Sequence, residues 1–83
     1  MYSVYMLRCK DGTLYTGITT DLQRRLREHT AGTLGAQYTR TRRPLALVYS
    51  KKYRTRTTAS REEARIKQLS RIDKLQLILA AGR

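Results

Sequence analysis

The sequence predicts an α/β fold of the α+β type, in which a small, three-stranded, mostly antiparallel sheet is flanked by helices in the order β-β-α-β-α-α. Two short runs rich in Tyr, Val, Leu and Ile, residues 2–9 and 13–18, are separated by the Lys-Asp-Gly of residues 10–12, which is typical of a β-hairpin. Helical periodicity and one further apolar run follow. We expect residues 1–83 to form a single domain, and dimerisation would help to stabilise so small a core.

The length of the hairpin loop decides whether two tyrosines share a face of the sheet. A two-residue loop would place Tyr5 and Tyr15 on opposite faces, because side chains alternate along a strand. A three-residue loop with Gly12 in the left-handed conformation would set Tyr5 opposite Gly17 and Leu7 opposite Tyr15. The two tyrosines would then be diagonal neighbours on one face. We favour the three-residue loop.

The segment after the second strand predicts the first helix. Asp21 is the simplest N-cap, the helix continues to about Thr30, and the Ala-Gly of residues 31–32 is a plausible stop. At about 100° per residue, Leu22 and Leu26 form the stripe that faces the core. This helix therefore packs on the sheet through a narrow apolar face.

Polar residues on this helix divide into two groups by their angle to the apolar stripe. Arg24 and Glu28 point away from it and are expected to face solvent. Arg25 and His29, one turn apart, lie on its shoulder and point toward the edge of the surface on which the helix packs. The periodicity therefore separates a placed arginine, Arg25, from a solvated one.

The rest of the chain predicts a loop, a strand and two helices. Residues 33–44 form the loop and residues 45–50 the third strand. The second helix runs from about Thr58 to Leu69, and the third over residues 71–80 after a Ser70 cap. The last helix is expected to pack on the sheet through an apolar face made of Leu75, Ile78 and Leu79.

The charge of the chain indicates a polyanionic partner. Eighteen Lys and Arg oppose six Asp and Glu, which gives a formal charge of +12, and thirteen of the cations are Arg. Arginine suits phosphate oxygens and stacks on bases, so nucleic acid, most simply DNA, is the leading partner. A ribosome-associated or membrane-surface role is the main rival. The predicted contact residues are the cations Arg40, Arg42, Arg43, Lys51, Lys52, Arg54 and Arg56 with the interleaved rings of Tyr38 and Tyr53.

Cysteine, histidine and apolar runs exclude several classes of protein. Cys9 and His29 are the only residues of their types, so one chain cannot form an internal disulfide or a Cys/His zinc site. Any metal must then be held by oxygen. The N-terminus lacks the pattern of a signal peptide, and no apolar run approaches the ~20 residues that span a bilayer. We expect a cytoplasmic protein, associated with the nucleoid if DNA is its substrate.

Few carboxylates are available to hold such a metal. Four of the six have simpler predicted roles in a turn, a cap, solvent or a helix start, namely Asp11, Asp21, Glu28 and Asp73. Glu62 and Glu63 remain, and helical geometry does not separate them. A capping box between Ser60 and Glu63 is the structural alternative for the second of these.

Several of these elements occur in an order that resembles the GIY-YIG endonuclease superfamily, in particular its small single-domain bacterial branch. Ser-Val-Tyr at residues 3–5 and Tyr-Thr-Gly at residues 15–17 correspond to the two motifs that name it. Arg25 follows the second glycine by eight residues, and His29 comes four residues later. Glu63 precedes the Ile-Lys-Gln-Leu of residues 66–69, as the metal-binding glutamate of that family precedes a similar segment. The resemblance thus favours Glu63 over its neighbour.

The resemblance implies a metal-dependent endonuclease that hydrolyses DNA phosphodiester bonds, in repair or processing, with limited sequence specificity. Tyr5 would take a proton from the attacking water and Tyr15 would order that water or share the role; which tyrosine is the base stays open. Its pKa of ~10 would have to be lowered by Arg25 and the metal. Arg25 would also stabilise charge on the phosphoryl group, and His29 would bind a phosphate oxygen or the water. Glu63 would hold one Mg²⁺ or Mn²⁺.

A second hypothesis assumes the same fold without catalytic activity. The chain would then be a non-catalytic module that binds DNA or structured RNA through its cations. The sequence leaves open the choice between DNA and RNA and the duplex, single-stranded or branched form of the substrate.

Overall fold

The structure, a computed structural model, describes residues 1–31 and 44–81 and confirms the predicted order of elements. The predicted contact residues Tyr38, Arg40, Arg42 and Arg43 lie outside the described residues. No helix within the described ranges is long and apolar enough to cross a membrane. The elements are the strands β1 (Tyr2–Arg8), β2 (Leu14–Thr19) and β3 (Ala46–Tyr53) and the helices α1 (Leu22–Ala31), α2 (Arg56–Lys67) and α3 (Arg71–Ala81).

The three strands form an antiparallel sheet in the order β2-β1-β3, so β1 is the central strand. Residues 3–7 of β1 are all buried, which requires cover on both faces of the sheet. Val4 and Met6 point to one face, where they form the core with Ala59 and Ile66 of α2. The alternate residues of β1 therefore point to the opposite face, toward α1.

The hairpin between β1 and β2 has the predicted three-residue loop. Gly12 has a φ of +85°, the left-handed conformation that glycine adopts without strain. The Cys9 amide donates to the Thr13 carbonyl over 2.9 Å, and Tyr5 pairs with Gly17. This register confirms that the side chains of Tyr5 and Tyr15 share one face.

The start of α1 follows the prediction as well. The backbone amide of Arg24 donates to Asp21 Oδ1 over 3.1 Å, so Asp21 satisfies one of the amides that the first turn leaves without a helical partner. A carboxylate at this position is also favoured by the helix dipole. The cap fixes where the chain turns from β2 into α1.

The boundaries of β3 and α2 differ from the prediction. β3 continues three residues beyond residue 50 to Tyr53, because Tyr53 pairs with Tyr2 and packs against the core. An edge strand also tolerates the two lysines in this extension. α2 begins at Arg56, two residues earlier than predicted, because Thr55 Oγ1 accepts from the Thr58 amide over 3.2 Å.

The orientation of α3 was predicted only in part. Ser70 caps the helix as expected, since its Oγ accepts from the Asp73 amide over 3.1 Å. The predicted apolar face is wrong at two of its three positions, because Leu75 and Leu79 are exposed while Leu77 packs against the core beside the third predicted residue, Ile78. The apolar residues of this helix surround most of its circumference, so their periodicity does not define a face.

Core packing gives a direct test of the fold. Ile66 is fully buried in α2 and Ile72 is 68 % exposed in α3. We expect Ile66→Ala to lower the free energy of unfolding by about 2–4 kcal/mol, because the side chain leaves a cavity. Ile72→Ala should change it by less than about 0.5 kcal/mol. Urea unfolding followed by circular dichroism measures both, and equal losses would contradict this core.

Candidate active site

Three rings from three elements meet on the face of the sheet that α1 covers. The centroid of the Tyr15 ring lies 5.3 Å from that of His29 and 6.4 Å from that of Tyr5. The centroids of Tyr5 and His29 are 6.0 Å apart. The structure thus brings together two tyrosines of the hairpin and the histidine of α1, as the sequence predicted.

Gly17 allows the Tyr5 ring to lie across the neighbouring strand. A Cβ at position 17 would lie 2.5 Å from Tyr5 Oη and 2.6 Å from Tyr5 Cζ, closer than real side chains approach. The two residues are paired across the strands, so the Tyr5 ring lies directly over position 17. Gly17, which follows Tyr15 in the Tyr-x-Gly motif, is therefore needed because the ring of Tyr5 passes over it.

A buried hydrogen bond joins Tyr5 to His29. Tyr5 Oη lies 3.0 Å from His29 Nε2, and neither side chain is exposed beyond 1 %. Burial lowers the pKa of His29; the charge of Arg25 lowers it further, and Glu28 opposes both. The imidazole is therefore neutral near pH 7, and in the tautomer with its proton on Nδ1 it accepts from the phenol. His29 contacts Tyr5 from inside the protein, whereas the sequence had suggested a contact with phosphate or water.

The protein's own groups raise the pKa of Tyr5 above the ordinary value of a tyrosine. Burial is the main cause, and a hydrogen bond from Arg25 opposes it. The negative charges of Tyr15 and Glu63 raise the value further. Because burial outweighs the guanidinium, Tyr5 is a protonated phenol at neutral pH and can accept a proton only as it gives up its own.

Arg25 is partly buried, as predicted, and Glu28 lies beside it. The Arg25 side chain is 28 % exposed, whereas that of Arg24 is 63 % exposed. Arg25 Nη1 donates to Glu28 Oε1 over 3.0 Å. The Glu28 side chain is only 20 % exposed, so the prediction that it faces solvent was wrong. Arg25 and Arg24 lie three and four residues before Glu28 and attract its carboxylate along the helix. This spacing is the sequence pattern from which the contact could have been predicted.

Glu62 and Glu63, which are adjacent on α2, influence the pKa values of different tyrosines. Glu63 raises the pKa of Tyr5, whereas Glu62 raises that of Tyr53. Glu62 Oε1 accepts from Arg65 Nε over 2.9 Å. Ser60 lies inside α2, because the helix begins at Arg56, so the capping-box interpretation of Glu63 was wrong. Of the two glutamates, Glu63 is the one whose charge acts on Tyr5, whereas the charge of Glu62 acts on Tyr49 and Tyr53.

Comparison with known proteins agrees with this arrangement. The family model described as the GIY-YIG catalytic domain matches residues 1–76. The chain belongs to the GIY-YIG family. Its catalytic domain is of the nuclease type, and the two tyrosines, Gly17 and Arg25 all lie within the matched residues.

The chain is also similar to UPF0213 proteins and to solved structures. The UPF0213 protein of Desulfotalea psychrophila is 53 % identical over 78 residues, which cover 94 % of this chain and 71 % of the relative. That of Halobacterium salinarum is 53 % identical over 74 residues, covering 89 % and 95 %. The solution structure of the UPF0213 protein of Bacillus halodurans is 46 % identical, with a TM-score of 0.65 and coverage of 99 % and 87 %. A protein of E. faecalis is 41 % identical, with a TM-score of 0.66 and coverage of 95 % and 83 %.

The residues around the GIY-YIG tyrosines fit a divalent ion that takes few protein ligands. Within residues 1–31 and 44–81, no three His, Cys, Asp or Glu side chains are grouped closely enough to form a metal cage. Glu63 offers one carboxylate, which is 20 % exposed and paired with Lys67 at 3.4 Å. Mg²⁺ commonly binds through one or two carboxylates and completes its shell with water and substrate phosphate. The donor set suits such an ion and would not suit zinc.

The described part of the predicted nucleic-acid surface lies on β3, on the short connection that follows it and at the start of α2. Lys51, Lys52, Arg54 and Arg56 are all exposed. Tyr53 is half-buried, its ring packs against the core, and Lys51 Nζ lies 5.7 Å from the ring centroid. Burial raises the pKa of Tyr53 to about 12. The cations are therefore accessible to phosphate, whereas this ring is largely used inside the protein.

The overlap between Tyr5 and position 17 predicts a coupling between them. Gly17→Ala should displace the Tyr5 ring and destabilise the chain by about 2 kcal/mol, since its ring cannot share space with a Cβ. In the Tyr5→Ala background the same change should cost less by about 1 kcal/mol or more. Urea unfolding of the four proteins of this double-mutant cycle measures the difference. Additive losses would show that the ring does not constrain position 17.

The buried imidazole predicts a pH dependence of stability. The pKa of His29 is lower in the folded protein than the ordinary 6.5, so the unfolded chain binds the proton more readily. Stability from this residue is complete above pH 6.5 and decreases as the pH falls below it. Urea unfolding at about pH 7.5 and about pH 5 should show a larger loss for the wild type than for His29→Gln. Equal losses would contradict a buried neutral histidine.

Proposed function

We propose that this protein is a divalent-metal-dependent endonuclease that hydrolyses phosphodiester bonds of DNA. The observation that carries the proposal is the convergence on one phenol. Tyr5 lies against Tyr15 and His29, accepts a hydrogen bond from Arg25, and is close enough to Glu63 for that carboxylate to raise its pKa. A base, a cation and a metal ligand are the groups that phosphodiester hydrolysis needs.

Tyr5 is the proposed acceptor of the proton of the attacking water. Its pKa is raised, so it carries a proton of its own, and His29 Nε2 lies 3.0 Å from its oxygen. As the water gives a proton to Tyr5 Oη, the phenol passes its original proton to Nε2. The imidazole is neutral beforehand and becomes an imidazolium. Tyr15, which is more exposed than Tyr5, orders the water.

Arg25 and Glu63 act on the phosphate side of the reaction. Arg25 is partly exposed and presents a fixed positive charge to the phosphoryl oxygens as negative charge develops on them. Glu63 would hold one Mg²⁺ or Mn²⁺ through its carboxylate. When bound, the ion supplies a Lewis acid for a phosphoryl oxygen. Lys67 balances the charge of Glu63 until then.

The exposed cations support DNA as the substrate and limited sequence specificity. Lys51, Lys52, Arg54 and Arg56 are side chains that contact phosphates, which position a nucleic acid without reading its bases. A formal charge of +12 favours any polyanion of this kind. We place the activity in the processing or repair of DNA in the cytoplasm.

Matched substitutions test the assignment. Glu63→Gln and Tyr5→Phe should each lower Mn²⁺-dependent cleavage at least about a hundredfold, because they remove a metal ligand and a proton acceptor. Glu62→Gln and Tyr2→Phe, neighbours outside the proposed site, should retain activity within about threefold. The measurement is cleavage of nicked, branched and single-stranded DNA with and without Mn²⁺, beside circular dichroism of each variant.

Two outcomes would reject the enzyme. One is activity that is unchanged in both Glu63→Gln and Tyr5→Phe. The other is tight, salt-sensitive DNA or RNA binding with no product and no effect of metal, which would favour a non-catalytic binding module on the same fold.

A further inference from the structure

The proposed phosphate-binding arginine already holds an anion supplied by its own helix. Glu28 Oε1 accepts from Arg25 Nη1 over 3.0 Å, and the two side chains are only 20 % and 28 % exposed. Burial works against the charge of Arg25, but its hydrogen bonds to Glu28 and Tyr5 outweigh that effect and raise its pKa. The Glu28 carboxylate thus contacts the same guanidinium group that the proposed function assigns to a phosphoryl oxygen.

We propose that Glu28 competes with the substrate phosphate for Arg25 and so lowers the affinity of the site for every phosphodiester, which leaves isolated phosphodiesters too weakly bound to be substrates. This inference rests on the proposed function of Arg25. A phosphodiester carries one negative charge, as does the carboxylate that it must displace. The exchange at Arg25 is therefore nearly even, and a lone diester gains little from it.

A polynucleotide has a further source of binding free energy. Its other phosphates meet a protein of net charge +12 with exposed cations on β3 and on the connection to α2, such as Lys51, Lys52 and Arg54. Each additional contact releases counterions and favours the complex. The displacement of Glu28 is then driven by contacts made elsewhere on the chain, which an isolated diester does not make.

The displaced carboxylate has a second partner close by. Glu28 Oε2 lies 3.8 Å from Arg24 Nε, and the Arg24 side chain is 63 % exposed. Glu28 can therefore leave Arg25 and stay beside Arg24, so the exchange does not strand an uncompensated charge. This arrangement makes Glu28 a displaceable competitor and distinguishes it from a permanent structural partner.

Glu28→Gln removes the charge and keeps the size of the side chain. With bis(p-nitrophenyl) phosphate and Mn²⁺, this variant should show a KM about fivefold lower than the wild type. Its kcat should not rise, because Glu28 also raises the pKa of His29 and so favours the imidazolium. With a DNA duplex, KM should fall by a similar factor, because displacing Glu28 costs the same binding free energy whichever phosphodiester takes its place. Glu28→Asp, which keeps the charge, should stay close to the wild type with both substrates.

Glu62→Gln is the matched control, because Glu62 pairs with Arg65 at the same i,i+3 spacing on α2. It should leave the KM for the small diester unchanged. An equal fall in KM in Glu62→Gln, or an unchanged KM in Glu28→Gln, would overturn the proposal.

A binding measurement separates this inference from the proposed enzyme activity. Inorganic phosphate is titrated without metal and followed by NMR of the Arg25 side-chain Nε–H. Glu28→Gln should bind phosphate about fivefold more tightly than the wild type, even if neither protein cleaves DNA. Equal phosphate affinities would overturn the competition. Absence of cleavage together with tighter phosphate binding would reject the enzyme and retain the competition at Arg25.

Discussion

The buried contact between the Tyr5 phenol and the His29 imidazole ties the sheet to α1. Tyr5 comes from the central strand, crosses β2 over Gly17, and reaches a histidine in the last turn of the helix. Burial disfavours the charged forms of both side chains, so the pair is stable as a neutral phenol and a neutral imidazole. The packing of α1 and the proton chemistry of the site therefore depend on the same hydrogen bond.

The surplus of positive charge determines how the glutamates of the helices are paired. With only six acids in the chain, three glutamates are each paired with a cation on their own helix three or four residues away. Such pairs contribute little to stability at an exposed surface. At Arg25 and Glu63, however, they occupy groups that a phosphate and a metal ion would use. Under the proposed function, an incoming phosphate and metal ion would replace these internal partners.

Much of this arrangement could be predicted from local chemistry. The Asp-Gly of residues 11–12 limited the hairpin to two registers, and the structure has the favoured three-residue loop. The exposure of Arg25 followed from helical periodicity. Side-chain direction was harder to predict. Glu28 was expected in solvent because its Cα lies off the apolar stripe, but a long side chain reaches a neighbouring arginine regardless of that angle.

Helix ends and faces were predicted incorrectly where the sequence offered equivalent choices. The start of α2 was misplaced because Thr55 and Thr58 both have hydroxyls that suit a cap, and tertiary context selected the first. The face of α3 was misjudged because apolar side chains occur on most of its sides, so the position of the sheet determines which ones are covered. Neither Glu62 nor Glu63 could be chosen from periodicity alone, since the distinction lies in which tyrosine each one approaches.

The alternation of β1 has an evolutionary consequence. Val4 and Met6 supply the core on one side of the strand, while Tyr5 and Leu7 serve the other, so structural and chemical roles are interleaved residue by residue. Adding or deleting a single residue between Arg8 and β2 while the strands stay paired would shift the register of β2 by one position and carry Tyr15 to the face opposite Tyr5. Evolution of this hairpin should therefore tolerate replacement of side chains at its tip, Gly12 excepted, better than a change in its length.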